Sequence, residues 1–188
     1  MSPREVPSRT VVLGVGNSHR RDDGVGPAVV ARLVREAGHG LLPHSLGLHV
    51  SDGEPARLIT LWQGAGLAVI VDAARTRRPA PGRVHRLEDV DDAVRPAFAA
   101  SSHGLGISEA VRLARVLDRL PPRLVIYGVE IADTGFGTGL SAGVAGAVPG
   151  VAARVRQDIV QHGGNLHGGN LHGGSLHGGN LHGGKRRG

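Results

Sequence analysis

A three-layer α/β fold, an αβα sandwich around a mostly parallel central sheet, is what this sequence predicts. Three observations carry the expectation. Short β-branched, apolar runs recur along the chain, and segments with helical spacing separate them. The run LAVIVDA, residues 67–73, is apolar throughout until a lone acid near its end, as in strands covered on both faces. Glycine, proline and aspartate mark the joins between the runs.

In chain order, VVLGV opens a buried strand at Val11, and Gly14 and Gly16 interrupt it before a turn at Asn17. Asp22 and Asp23 then stand directly before a helix in which Val25, Val29, Leu33 and Val34 recur at helical spacing, ended by Gly40. LGLHV (46–50) is a second strand. Ser51-Asp52-Gly53-Glu54-Pro55 forms a turn and a proline-started helix containing Leu58, Ile59 and Trp62. After the 67–73 strand, a proline- and glycine-bearing loop (75–83) leads to a short edge strand at Val84–Leu87. Ser101-Ser102-His103-Gly104 precedes a helix from about Ile107 to Leu120, with Val111, Leu113, Ala114, Val116 and Leu117 as a broad apolar face. Pro121 and Pro122 close it, and RLVIYGVEI (123–131) is the last strong strand. A glycine-rich loop (133–139) leads to a final helix from Ser141 to about Gln161, which Pro149 should either start or kink.

From His162 the composition changes. HGGNL-type units repeat with a period of five and end in KRRG. Five matches neither the helix nor the strand period, and paired glycines penalise both states. The expected organisation is therefore an α/β domain over 1–161 and a flexible His/Gly-rich tail over 162–188, with a root-mean-square span of roughly 29 Å.

Composition narrows the function. The 188 residues favour one domain, long enough to bury roughly 70% of its unfolded surface. With no cysteine, disulfides, thiolate metal sites and a cysteine nucleophile are excluded. The beginning, MSPREVPSRT, carries both signs of charge and no apolar core, and no run approaches a membrane span, so a cytoplasmic protein without a membrane partner is expected. Of the formal charge of +6, Lys185, Arg186 and Arg187 supply three units. With two Phe, one Trp and one Tyr, no stacking platform exists, and nucleic acid is not an expected partner.

The stretch VVLGVGNSHRRDDGVG invites a dinucleotide reading, which fails on two counts. The third glycine of G-x-G-x-x-G falls at His19, and two aspartates at the helix mouth repel a pyrophosphate. No nucleotide cofactor is expected; carboxylates at a strand end suit a cation. Ligands in such folds sit beyond the carboxyl ends of the strands, where Asp23 follows the first strand and Asp72 ends the third. With His103 before a helix, two carboxylates and one imidazole form a ligand set for a divalent ion, leaving positions open for water or substrate. The bland alternatives are a helix N-cap for Asp22 or Asp23, a solvated turn residue for Asp72 and an exposed imidazole for His103.

VVLGVGNSHRRDDGVG, followed in order by SDGEPARLITLW, LAVIVDAA, SSHGLGISEAVRLA and YGVEIADTGFGTGLS, resembles the hydrogenase maturation protease family across about residues 10–160. The resemblance implies an endopeptidase that removes a C-terminal extension from the large-subunit precursor of nickel–iron hydrogenase after nickel insertion. It places the family's metal-binding roles on Asp23, Asp72 and His103, which would recognise nickel already held by the precursor. That metal would polarise the scissile carbonyl or activate a water. No order of Ser, His and Asp, and no cysteine, points to an acyl-enzyme. Arg20 and Arg21 are candidates to contact the precursor's C-terminal segment, and a monomer is expected.

Two features depart from the family pattern. His19 stands where the family is usually apolar or aromatic; a surface turn residue is the plainer reading, an extra ligand the sharper one. The tail is also foreign to the pattern, and His162, His167, His172, His177 and His182 are tethered imidazoles suited to nickel, copper or zinc. A nickel store or chaperone, with the sandwich as scaffold, is therefore the alternative function.

Overall fold

The computed structural model of the chain describes residues 9–43, 46–88 and 104–168. Its elements are β1 (Thr10–Val15), a 3-10 turn (Arg21–Gly24), α1 (Val25–Gly38), β2 (Leu46–Ser51), α2 (Pro55–Trp62), β3 (Leu67–Ala74), β4 (Val84–Leu87), α3 (Gly104–Val116), β5 (Arg123–Glu130) and α4 (Ala142–Gly168). The strands form one five-stranded sheet in the order β2-β1-β3-β5-β4. β2, β1, β3 and β5 run parallel, and β4 adds antiparallel to the β5 edge. The sandwich read from the sequence is the fold observed.

Period-two alternation along each buried strand divides the core into two halves. Val12, Val69, Val71, Val125, Tyr127 and Val129 face α1 and α4, where Val29, Leu33, Val151 and Val155 meet them. Val11, Leu13, Ile70 and Ile126 face α2 and α3, against Leu58, Trp62, Ile107 and Val111. β3 is buried at every position, which explains its unbroken apolar run. On α2, Glu54 caps the first turn, its carboxylate accepting from the N–H groups of Ala56 (2.9 Å) and Arg57 (2.7 Å) ahead of Pro55 at the helix start. Trp62 is fully buried and donates its indole N–H to Arg119 O at 3.2 Å.

Three expectations are corrected by packing. α3 ends at Val116 rather than near Leu120, and its buried stripe is the narrower set Ile107, Ala110, Val111 and Ala114. Leu113, Val116 and Leu117 are exposed, as is Val34 on α1. Spacing puts these residues on helices, but only one flank of each helix meets the sheet. Finally, α4 passes through Pro149 and extends to Gly168, and His162 is buried on it, so the last helix runs past Gln161 through the first unit of the repeat and into the second. No helix among the described residues is long and apolar enough to cross a membrane.

The tightest packing in the fold lies between α1 and the sheet. A Cβ added at Gly14 would stand 2.4 Å from Gly26 O. One added at Gly26 would stand 2.4 Å from Val15 O and 2.5 Å from Val71 O. Helix propensity alone favours alanine at position 26 by about 1 kcal/mol. The backbone clash reverses that sign, and Gly26→Ala is expected to destabilise the fold by about 1–3 kcal/mol, read as a lowered Tm in thermal unfolding. A raised Tm would contradict this packing.

Candidate functional site

In a doubly wound sheet the strand order reverses at one point, and a crevice opens there beyond the carboxyl ends. Here β1 leads outward to β2 on one side and to β3 on the other, so the loops after β1 and β3 flank the crevice. The loop after β1 is built around backbone hydrogen bonds. Arg20 N–H donates to Asn17 O at 3.0 Å, Asp23 N–H to Arg20 O at 3.1 Å, and Gly16 N–H to Ser51 O at 3.0 Å. Gly16 has φ +137°, and a Cβ there would stand 1.9 Å from Asp23 O, so the doubling back that delivers Asp23 requires glycine.

Asp23 is buried, with one carboxylate oxygen accepting from Asn17 N–H at 3.0 Å. The 3-10 turn that carries it packs against β3. Gly26, three residues on, sits against the Val71 carbonyl, immediately before Asp72. Asp72 is buried in the last turn of pleat before β3 ends. Alternation puts it on the face covered by α2 and α3. In the register it pairs with Gly128 of β5, which pairs in turn with His85 of β4. The solvated-turn reading of Asp72 does not hold.

His103 lies outside the described residues, as do His172, His177 and His182, and the side chain of His167 is likewise undescribed. The segment that follows His103 is anchored near this end of the sheet: a Cβ at Gly106 would stand 2.3 Å from Gly53 O, in the loop after β2. Among the described residues no three metal-ligating side chains gather. His19 is exposed in its turn, and its carbonyl accepts from Gly137 N–H at 3.0 Å, which matches the surface-turn reading.

Asp22 is not an N-cap of α1 and has a different task. Fully buried, it accepts from Ser141 N–H (2.6 Å), Ser141 Oγ (3.0 Å), Asp133 N–H (3.1 Å) and Ala132 N–H (3.3 Å). One carboxylate thus closes the loop between β5 and α4 onto the loop after β1. Burial by itself raises the pKa of such a group; the hydrogen bonds from Ser141, Asp133 and Ala132 outweigh it and hold Asp22 below the usual 3.8.

Glu130, at the end of β5, is a buried acid that motif reading passed over. It accepts from Ala80 N–H at 2.6 Å and from Thr76 Oγ1 at 3.3 Å, and lies 2.7 Å from His85 Nε2. The Ala80 hydrogen bond and the His85 contact hold its pKa down against desolvation. The signal was present, since Glu130 is the sole acid in RLVIYGVEI, but an acid at a strand end has many uses. On the opposite sheet face, Tyr127 donates to buried Asp158 at 2.6 Å, and Arg86 and Arg123 bridge Asp158 to Glu88 beside a cavity of about 510 Å³. Burial and Asp158 push the Tyr127 pKa up to about 12.

Asp22→Asn places an amide NH₂ among N–H donors and is expected to cost about 1–3 kcal/mol. Because the folded pKa lies below the unfolded value, the carboxylate's contribution is complete above about pH 4 and is lost as pH falls through the folded value. The Tm gap between wild type and Asp22→Asn should therefore be full at pH 7 and narrow as pH falls below 3.8. A gap independent of pH would show that the charge plays no part.

Residues 53–158 match the family described as hydrogenase maturation protease. The chain is 29% identical over 163 residues to the hydrogenase expression/formation protein HupD of Rhodobacter capsulatus, covering 82% of this chain and 73% of that one. It is 28% identical over 123 residues to the hydrogenase 2 maturation protease of Escherichia coli K12, covering 64% and 72%. Among solved structures, the hydrogenase maturating endopeptidase HybD of Escherichia coli superposes with a TM-score of 0.70 at 23% identity, over 82% of this chain and 94% of that one. The nickel–iron hydrogenase maturation protease HybD of Thermococcus kodakarensis does so with a TM-score of 0.64 at 22% identity, over 80% and 99%. At these identities the structural likeness speaks for the fold, and the family match speaks for the kind of protein. The chain belongs to the hydrogenase maturation protease family.

Proposed function

We propose that this protein is the endopeptidase that removes the C-terminal extension of a nickel–iron hydrogenase large-subunit precursor after nickel insertion. The observation that carries the reading is a pair of buried carboxylates, Asp23 and Asp72, at the carboxyl ends of the two strands that flank the crevice. Family membership supplies the reaction class, and the crevice supplies a place for it.

Nickel enters this account as part of the substrate. Carboxylate oxygens with an imidazole are a donor set that fits a divalent, borderline cation, and Asp23, Asp72 and His103 are the residues that would hold it. Bound there, nickel would polarise the scissile carbonyl or lower the pKa of a water. The chain's own groups do the rest. Asn17 N–H fixes one oxygen of Asp23, Asp72 is buried near the end of β3, and the Gly26 contact holds the turn that carries Asp23 close to β3.

The histidine tail serves, in this reading, as an accessory nickel store on an enzyme that works in the cytoplasm. Its beginning needs care: His162 is buried on α4, so it belongs to the folded body more than to a free tail. A cut after Gly168 removes His172, His177 and His182 and spares α4. That truncation is expected to lower the nickel bound in equilibrium dialysis while leaving precursor processing intact; loss of processing would tie supply to cleavage.

The direct test of the site is substitution. Asp23→Asn, Asp72→Asn and His103→Gln should each abolish conversion of nickel-loaded precursor to the mature subunit on a denaturing gel, with circular dichroism unchanged. Normal processing by all three would overturn the assignment.

A further inference from the structure

The loop between β5 and α4 carries a feature that peptide-bond chemistry does not use. Phe136, between Gly135 and Gly137 in DTGFGTG, is 88% exposed. An exposed aromatic on a floppy loop would mean little, but this loop is tied down on every side. Asp22 holds it at Ala132, Asp133 and Ser141. Arg21 N–H donates to Gly137 O and Gly137 N–H to His19 O, both at 3.0 Å. Arg21 pairs with Asp133 at 3.3 Å, and Arg75, from the loop after β3, donates to Thr134 Oγ1 at 2.6 Å. The Arg20 guanidinium lies over the Phe136 ring, 5.7 Å from its centroid. All three loops at the crevice therefore contribute to presenting one phenyl ring to solvent.

The charge around that ring is one-sided. The loops after β1, β3 and β5 carry exposed Arg20, Arg21, Arg75, Arg77 and Arg78, against a single exposed acid, Asp133, which Arg21 already engages. The two acids of the turn after β1, Asp22 and Asp23, are buried beneath. A negative crevice floor thus has a positive, aromatic rim. A metal-holding floor would attract cations only; such a rim selects a polymer that brings negative charge alongside an apolar residue.

We propose that Phe136, Arg20 and Arg75 form the docking platform for the polypeptide substrate, seating an apolar side chain on the phenyl ring and carboxylates of an acidic segment on the arginines. The inference rests on the protease reading and specifies the substrate chemistry at its site. Pre-organisation by Asp22 lowers the ordering cost of binding, and the aromatic–arginine pair is of the type that dominates binding energy at interfaces.

Steady-state cleavage of a nickel-loaded large-subunit precursor by the full-length protein, over a series of NaCl concentrations, tests the proposal. Phe136→Ala should raise KM about tenfold with kcat within about twofold, the pattern of lost uniform binding. Phe136→Trp should restore KM, and Arg20→Ala and Arg75→Ala should raise KM and flatten its rise with salt. Unchanged KM in the three alanine variants, with wild type cleaving normally, overturns the platform and leaves the protease reading standing. If wild type fails to cleave, the protease reading falls, and association of the same precursor by biolayer interferometry decides the platform. Association weakened about tenfold by Phe136→Ala supports it. Association that is equal in all variants, or absent from wild type, overturns it.

Discussion

The close approach of Gly14 on β1 to Gly26 on α1 is the constraint on which the rest of this structure depends. Two backbones meet where neither tolerates a Cβ, and Gly26 also rests on the carbonyls of Val15 and Val71. The contact fixes where α1 crosses the sheet. The turn that precedes α1 then has one place to go, over the carboxyl ends of β1 and β3. Asp23 is carried on that turn, and Asp72 follows Val71 directly. Packing geometry and site geometry are therefore the same fact, stated once for the helix and once for the acids.

A second constraint divides the labour between adjacent acids. Asp22 and Asp23 have the same chemistry, and both are buried. Asp22 commits its lone pairs to the backbone and hydroxyl of the loop before α4, while Asp23 accepts from Asn17 N–H in its own loop. One acid joins two loops and gives the crevice a fixed wall; its neighbour is the one proposed to meet the substrate's nickel. Because the wall is fixed from beneath, it can hold Phe136 outward with Arg20 across the ring.

The sequence was most legible where physics is local and periodic. The unbroken apolar run of β3 announces burial on both faces, and the short VHRL run is an edge strand, as read. Legibility failed where neighbours decide. The spacing of Leu113, Val116 and Leu117 is helical, yet those side chains are exposed because the sheet meets only one flank of α3. A period-five repeat argues against helix at His162, but that side chain is buried on α4. The placement of Asp23 and Asp72 at the carboxyl end of the sheet could be read from the sequence, since fold class alone predicts where strand ends gather. Glu130 and His85 could not, because their pairing depends on β4 returning antiparallel, with His85 opposite Gly128. The work of Asp22 was equally hidden, its partners lying more than 100 residues away.

In the proposed function, this crevice cleaves a precursor because that precursor carries nickel. Intact-mass spectrometry of a hydrogenase large-subunit precursor, loaded and unloaded with nickel, before and after incubation with this protein, tests it most directly. The account predicts one mass loss, equal to a C-terminal peptide, in the loaded sample alone. An unchanged mass in the loaded sample, or the same loss with and without nickel, would contradict it.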